Sequence, residues 1–333
     1  MRKWNVTSIA IILLLFTLLT GCGANADPNT EQPEESKNQN QITEEQSSGD
    51  EVAFPVTMKD ATGKEVEIKE EPKRIVSLMP SNTEIVFALE KGDNLVGAST
   101  EYDNYPEEVN EIEKVAANFE LNVEKVLSLK PDLVLAHGSN LTTWESGLKQ
   151  LEDSGVTVLV IEDAQSFKAV YQTIETIGKA LGKKDEANEI VENMQAKLAD
   201  ITEKTTEIAN DEKKSVFVEI SPAPEIYAAG TGTFMNEMLE AIHSENIVEE
   251  EGYPTLNEEA VIKSNPDVII VNYSYVEDAV DQVLQRAAWK DVTAVKEKQV
   301  YQVDEDLVSR SGPRIIEGVE ELAKAIYPEA YGE

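Results

Sequence analysis

The sequence predicts an α/β protein of two lobes, each built on a mostly parallel sheet, joined by a single long spanning helix. Three observations lead there. Asp185 to Ala209 is the longest uninterrupted helical pattern in the 333 residues, with apolar positions Ala187, Ile190, Val191, Met194, Leu198, Ile201 and Ile208 spaced by three or four into one stripe. About 25 residues at 1.5 Å each make a rod of nearly 40 Å, longer than one small lobe needs. The flanks of this helix repeat each other: Leu121 to Ala136 reads LNVEKVLSLKPDLVLA, and Leu256 to Val271 reads LNEEAVIKSNPDVIIV. Leu, Asn, Glu, Val, Pro and Asp recur at identical spacing. Each copy reads as a short helix opened by an Asn cap, a Pro-Asp break and an apolar run. Such a run suits a parallel strand covered on both faces. On pattern alone, an amphipathic surface helix and chance similarity of two helix-to-strand joints stay open as alternatives.

Composition narrows the function classes. Lys plus Arg number 29 against 64 Asp plus Glu, and a formal charge of −35 repels nucleic acid and anionic headgroups. Cys22 is the only cysteine, so one chain can hold neither a disulfide nor a cysteine-ligated zinc. His137 and His243 are the only histidines, which disfavours a multi-histidine metal site.

In chain order, residues 1–21 form an export signal, with Arg2 and Lys3 before the apolar run Ile9 to Leu19. Leu19-Thr20-Gly21-Cys22 is similar to a bacterial lipobox, which implies a diacylglyceryl group on Cys22 and a lipid-anchored, extracytoplasmic protein at the cell membrane. An uncleaved anchor is the alternative. Residues 22–51, rich in Asn, Gln, Glu, Ser and Pro, bury too little to order and read as an acidic tether. A flexible chain of about 29 residues reaches roughly 30 Å.

The N-terminal lobe is assigned to 52–184. Phe54 onward alternates apolar residues around a Thr62-Gly63 turn, a hairpin signature. A strand at Arg74 to Leu78 leads into Ser81-Asn-Thr-Glu84, a capping-box spacing, and a helix stopping at Gly92. After the strand near Leu95 and the loop Glu101 to Val109 come the first repeat unit, a helix at Leu141 to Asp153, a strand at Val156 to Ile161 and a helix at Ser166 to Leu181. The spanning helix, 185–210, opens with Asp185 as cap. The C-terminal lobe, 211–330, runs from a strand at Ser215 through a helix at Phe234 to Ile242 and the second repeat unit. It then takes a helix near Val276 to Arg286, a strand at Gln299 to Val303, a loop from Asp304 to Pro313 and a closing helix at Arg314 to Tyr327. Alternating strands and helices place a ligand crevice at the loops after the strands.

Hydrolase-elbow, zincin, paired CxxC and Walker motifs are absent, and Gly230-Thr231-Gly232 lacks the third glycine of a dinucleotide fingerprint. From about Lys73 to Tyr327 the chain resembles the periplasmic-binding (substrate-binding) lipoproteins of ABC importers for iron-siderophores, haem and cobalamin, closest to the cobalamin branch. The resemblance rests on RIVSLMPSNTEIVFAL from Arg74, EYDNYP from Glu101, both LN-E-V-PD units and SRSGPR from Ser309. It implies a binding protein without enzyme activity or resident cofactor, which captures cobalamin or an iron chelate and delivers it to an ABC permease dimer with its ATPase.

Carried over by position, the resemblance makes Glu124 and Glu259 permease-docking acids, one per lobe. Read from the residues alone, each could simply complement a helix dipole. It makes Tyr102, Tyr227 and Tyr253 aromatic ligand contacts and Asp306 and Arg310 polar ones, although each tyrosine also reads as ordinary half-buried packing. Asn118 and His137 stand where the cobalamin binders carry tryptophan, a departure from the branch. His137 follows a strand, where an imidazole can act as an axial metal ligand or only hydrogen-bond; His243 reads as a surface residue near a helix end. The ligand alternatives are a ferric siderophore or haem, and the other classes are an enzyme or a surface scaffold on the same fold.

Overall fold

The structure is a computed structural model that describes residues 53–117 and 120–331. The export signal, Cys22, the acidic tether and Asn118 fall outside the described residues. A hairpin opens the described chain: β1 (Val56–Lys59) pairs antiparallel with β2 (Glu65–Ile68), and Gly63 at φ +82° supplies the left-handed turn residue.

The N-terminal lobe continues with β3 (Ile75–Ser77), α1 (Pro80–Ala88), β4 (Leu95–Gly97) and the small hairpin β5 (Ala116–Ala117) and β6 (Glu120–Leu121). Then come α2 (Val123–Ser128), β7 (Leu133–His137), α3 (Leu141–Asp153), β8 (Thr157–Ile161) and α4 (Phe167–Ala180). Its sheet has the order β4-β3-β7-β8, parallel throughout, and every residue of β7 is buried. That burial on both faces is why LVLA carries no polar alternation.

The spanning helix is α5 (Lys184–Thr206), 23 residues long. Its N-cap is Lys183 with no side-chain cap, so Asp185 lies in the first turn and complements the dipole there instead of capping. Ala187, Val191, Met194 and Ile201 bury the expected stripe against α4 on one lobe and the last helix of the other. Gly178 permits the close approach of α4, since a Cβ there would sit 2.4 Å from that of Ala187.

The C-terminal lobe follows with β9 (Ser215–Glu219), β10 (Ile226–Tyr227), α6 (Phe234–Ala241), β11 (Glu245–Asn246), β12 (Thr255–Leu256), α7 (Glu258–Ser264) and β13 (Val268–Val271). It closes with α8 (Ala279–Leu284), α9 (Thr293–Lys296), β14 (Val300–Gln302), α10 (Glu305–Ser309) and α11 (Ile315–Ile326). The sheet order β11-β9-β13-β14, again all parallel, matches the first sheet strand for strand.

The repeat seen in sequence is a repeat in space. Asn122 and Asn257 cap α2 and α7, accepting from the amides of Lys125 and Ala260 at 2.9 and 2.8 Å. Each helix exits through a left-handed residue before proline, Lys130 (φ 50°) and Asn265 (φ 47°). The next aspartate then ties the unit to the first strand of its parallel sheet: Asp132 accepts from the amides of Lys73 and Arg74, just before β3, and Asp267 from the amide and hydroxyl of Ser215 in β9. Two local readings need correction. The helix expected to open with a capping box at Ser81 to Glu84 begins instead at Pro80, with Met79 as an N-cap lacking a side-chain bond, and Glu84 is buried for another purpose. The loop after Asp304 holds the short helix α10, capped by Asp304 itself.

One hydrophobic core runs through both lobes, from Val56 and Ile75 through Met194 on α5 to Ile270 and Ile326. Among the described residues no helix is long and apolar enough to cross a membrane.

Candidate functional site

The parallel strands of both lobes end in loops that meet one another. On the N-terminal side, Tyr102 stands 72 % exposed in the loop after β4, held from below by its neighbour Asp103. Asp103 is fully buried; it accepts from Thr83 Oγ1 at 2.7 Å, Ser99 Oγ at 3.1 Å and the Ser99 amide at 3.2 Å. Burial pushes its carboxyl above the usual range, against the pull of those donors and of Lys114. Lys114 Nζ donates to the carbonyls of Asp103 and Val109 at 2.5 and 3.0 Å, which fixes the rest of the loop.

On the C-terminal side, Tyr227 on β10 and Tyr253 just before β12 are 41 % and 53 % exposed on neighbouring strands, where Tyr227 pairs with Thr255. Under them lies Glu219, at the end of β9 and fully buried. It accepts from Arg286 Nη1 at 2.5 Å and Nη2 at 2.7 Å and from the Tyr273 hydroxyl at 2.6 Å. Arg286 in turn lies 4.4 Å over the Trp289 ring, so the guanidinium is shielded on a face that makes no hydrogen bonds. Tyr275, 68 % exposed, leans on Tyr273 with ring centroids 5.5 Å apart.

His137 closes β7 and is buried. Its Nδ1 accepts from the Ser139 amide at 3.3 Å and lies 2.8 Å from Ser139 Oγ. A lone pair on Nδ1 leaves the ring proton on Nε2, and burial holds the imidazole below its ordinary pKa although Asp163 pulls the other way. The ring therefore presents an N–H donor. Asp163 also acts on Tyr253, whose hydroxyl is pushed up by burial and then by that carboxylate. Among the described residues no group of three or more His, Cys, Asp and Glu could hold a metal ion.

Asp306 and Arg310 share α10 and its C-cap, and pair at 2.7 Å. The Arg310 guanidinium also reaches the other lobe, donating to Glu84 Oε1 at 3.2 Å, the Tyr102 carbonyl at 2.8 Å and Asn104 Oδ1 at 3.0 Å. Glu124 and Glu259 are each the second residue of a repeat helix, exposed, and without an ion pair or side-chain hydrogen bond among the described residues. His243 lies just past the end of α6 in a left-handed conformation (φ 62°), remote from the residues above in the fold's connectivity.

Sequence reasoning missed Tyr275, Asp163, Glu84 and Arg314. Tyr275 follows a strand as Tyr102 does, and that position was the available signal. Glu84 was legible only as a cap, because nothing local announces a partner more than 220 residues away.

The model of the family described as periplasmic binding protein matches residues 75–307. Over 325 residues the chain is 48 % identical to the uncharacterized ABC transporter substrate-binding lipoprotein YvrC of Bacillus subtilis (strain 168), covering 97 % of this chain and 98 % of that one. It is 28 % identical over 286 residues to a cobalamin-binding protein of Halobacterium salinarum (strain ATCC 29341 / DSM 671 / R1), covering 83 % and 75 %. Among solved structures, a possible iron-binding (periplasmic solute-binding) protein from Staphylococcus epidermidis ATCC 12228 superposes with TM-score 0.70 at 36 % identity, over 78 % of this chain and all of that one. The periplasmic heme-binding protein RhuT from Roseiflexus sp. RS-1 gives 0.69 at 27 % identity, over 78 % and 99 %. Two parallel-sheet lobes joined by one helix, with their strand-end loops facing, are thus the architecture of solute receptors, and the chain belongs to the periplasmic binding protein family as a substrate-binding protein of an ABC transporter.

Proposed function

We propose that the protein captures cobalamin, or a related corrinoid, between its lobes and hands it to the permease without chemical change. The observation that carries this is the set of exposed tyrosines contributed by both lobes: Tyr102 from one, Tyr227 and Tyr253 from the other. Flat phenol rings bury much area against a macrocycle with little loss of side-chain entropy. The Nε2–H of His137 and the carboxylate of Asp306 suit the amide-rich edge of a corrinoid. Arg310 bridges the lobes beside Tyr102, donating to its carbonyl. Calorimetric titration with cyanocobalamin, a ferric hydroxamate, a ferric catecholate and haem tests this reading, and heat from the cobalamin alone is the expected result.

An iron chelate is the second reading, favoured by the 36 % identity to the Staphylococcus epidermidis protein and by the absence of the two cleft tryptophans. Binding of a ferric chelate with no response to cyanocobalamin would establish it. In either case Glu124 and Glu259, unpaired and at equivalent helix positions, suit a two-fold basic permease surface that they would orient. Cys22 would carry the lipid anchor and residues 22–51 would form the tether to the extracytoplasmic membrane face. The continuous core through α5 limits closure on ligand to a small movement.

A further inference from the structure

The lobes are pinned to each other by two glutamates in equivalent places. Glu84 on α1 and Glu237 on α6 each lie five residues before the C-cap of the first helix in their lobe, Leu89 and Ile242. Both helices then leave through a left-handed residue, Glu90 and His243. Each carboxylate crosses to the opposite lobe. Glu237 accepts from the Phe167 amide at 3.0 Å, at the start of α4, beside an edge-on contact of Phe167 with Phe234 at 5.0 Å.

Glu84 makes the stronger crossing. Its side chain is 2 % exposed and its oxygens accept from Arg314 Nη2 at 2.6 Å, Arg314 Nε at 3.0 Å and Arg310 Nη1 at 3.2 Å. Among the described residues, all of its side-chain partners belong to the other lobe. Arg314 lies 3.5 Å over the ring of Tyr105, and Ser311 Oγ donates to the Ala164 carbonyl at 2.8 Å, so the whole 310–314 segment is seated on the N-terminal lobe. Through its remaining donors Arg310 holds the Tyr102 carbonyl and Asn104. The aromatic wall contributed by the N-terminal lobe is therefore tied down from the C-terminal one.

We propose that Glu84 is a positioning residue for ligand retention: with Arg310 and Arg314 it forms an ionic clamp that sets the spacing of the lobes and holds the Tyr102 loop, and release of the ligand requires this clamp to break. The part concerning Tyr102 rests on the ligand reading above; the part concerning lobe spacing does not. With the carboxylate neutralised, two guanidiniums are left close together and shielded from water, so the seam becomes repulsive. Loss of Arg314 alone leaves Glu84 one guanidinium and acts in the same direction, less strongly. Because the side chain of Glu84 bonds to nothing in its own lobe among the described residues, either change acts on the seam before it acts on the fold.

The test uses the full chain carrying Cys22→Ser, so that spin labels attach only at Ser128→Cys and Ser264→Cys, exposed positions on opposite lobes. Distances are measured by pulsed electron resonance in the parent, Glu84→Gln, Glu84→Asp and Arg314→Gln, with melting curves to show that each is folded. The parent should give one narrow distance, Glu84→Gln a longer and broader one, Arg314→Gln an intermediate one, and Glu84→Asp a return toward the parent. Cyanocobalamin should leave Glu84→Gln at least tenfold faster, with its association rate little changed. An unaltered distance in Glu84→Gln, or in Arg314→Gln should the first variant not fold, overturns the clamp. If the parent does not bind cyanocobalamin, the ligand reading fails while the distances still decide the clamp.

Discussion

The buried carboxylate beside Tyr102 in the N-terminal lobe is held by neutral donors, and the buried Glu219 of the C-terminal lobe by a guanidinium. Asp103 lies among the hydroxyls of Thr83 and Ser99 and the Ser99 amide, with Oδ1 left unpartnered. Glu219 is bound by both Arg286 nitrogens and the Tyr273 hydroxyl. Each lies beside an exposed tyrosine, Tyr102 or Tyr227, so the two lobes support similar rings by unlike electrostatics. A carboxylate held by neutral groups keeps a penalty for its charge; one held by a guanidinium depends on a single counter-charge. The N-terminal lobe should therefore respond to pH, and the C-terminal lobe to mutation.

The largest expected effect follows from that dependence. Arg286→Met leaves Glu219 in the core without its counter-charge, held by the Tyr273 hydroxyl alone, a loss of about 3–5 kcal/mol. Urea unfolding followed by tryptophan fluorescence should show it, since Trp289 lies against the guanidinium. A loss near zero would mean that Tyr273 alone satisfies the carboxylate. Next, removing an exposed tyrosine from either wall should weaken ligand binding by about 2 kcal/mol, on the order of 30-fold. Tyr102→Ala and Tyr253→Ala, compared by titration with cyanocobalamin, ask whether the two lobes contribute alike; indifference to both would remove the tyrosines from the site.

Asp103 sharpens the comparison through pH. Its folded pKa is raised above the ordinary 3.8, so the folded state binds the proton more tightly than the unfolded one. The stability contributed by this group is present below 3.8 and is lost as pH rises through the raised value. Glu71 has the opposite sign: its bonds to Lys73 and Lys91 lower it to about 2, so its contribution is held above 4.5 and fades as pH falls toward that value. With its side chain 37 % exposed and solvent-screened, it should count for little. Asp103→Asn should flatten the decline of unfolding free energy with rising pH while leaving the Glu71 limb in place. A parent and variant with parallel profiles would show that the Ser and Thr donors offset the burial.

Much of this frame was legible in the sequence, for reasons that lie in particular residues. The LN-E-V-PD units could be read because a cap, a helix break and a buried strand are each dictated by residues within a few positions, and Asn122 and Asn257 do cap as their type requires. The spanning helix could be read because its stripe faces cores on both sides. Glu84 could not. Ser81-Asn-Thr-Glu84 has the spacing of a capping box, and only the arrival of Arg310 and Arg314 from the far end of the chain reassigns it. Tyr102, Tyr227 and Tyr253 were named through resemblance, since an exposed tyrosine and a packed one leave the same mark in a sequence. The buried Asp103 and Glu219 left none, because burial of a carboxylate is decided by partners that the local pattern does not contain.

The smallest expected effect lies where the repeats are most alike. Lys130 and Asn265 both hold left-handed backbone just before proline, a conformation that clashes with most side chains and that asparagine tolerates better. Asn265 is further secured: its Oδ1 accepts from the Thr293 amide and its Nδ2 donates to Thr293 Oγ1, both at 2.9 Å. Lys130 shows no such bonds among the described residues. Lys130→Asn should therefore stabilise the chain by about 0.5–1 kcal/mol through backbone relief alone. Asn265→Lys should cost more than that, because it loses the relief and both bonds to Thr293. Thermal unfolding of the two variants measures the difference. If the two changes were equal and opposite, backbone conformation alone would account for the residue at this position, and the link from α7 to α9 would contribute nothing to holding the second repeat in its lobe.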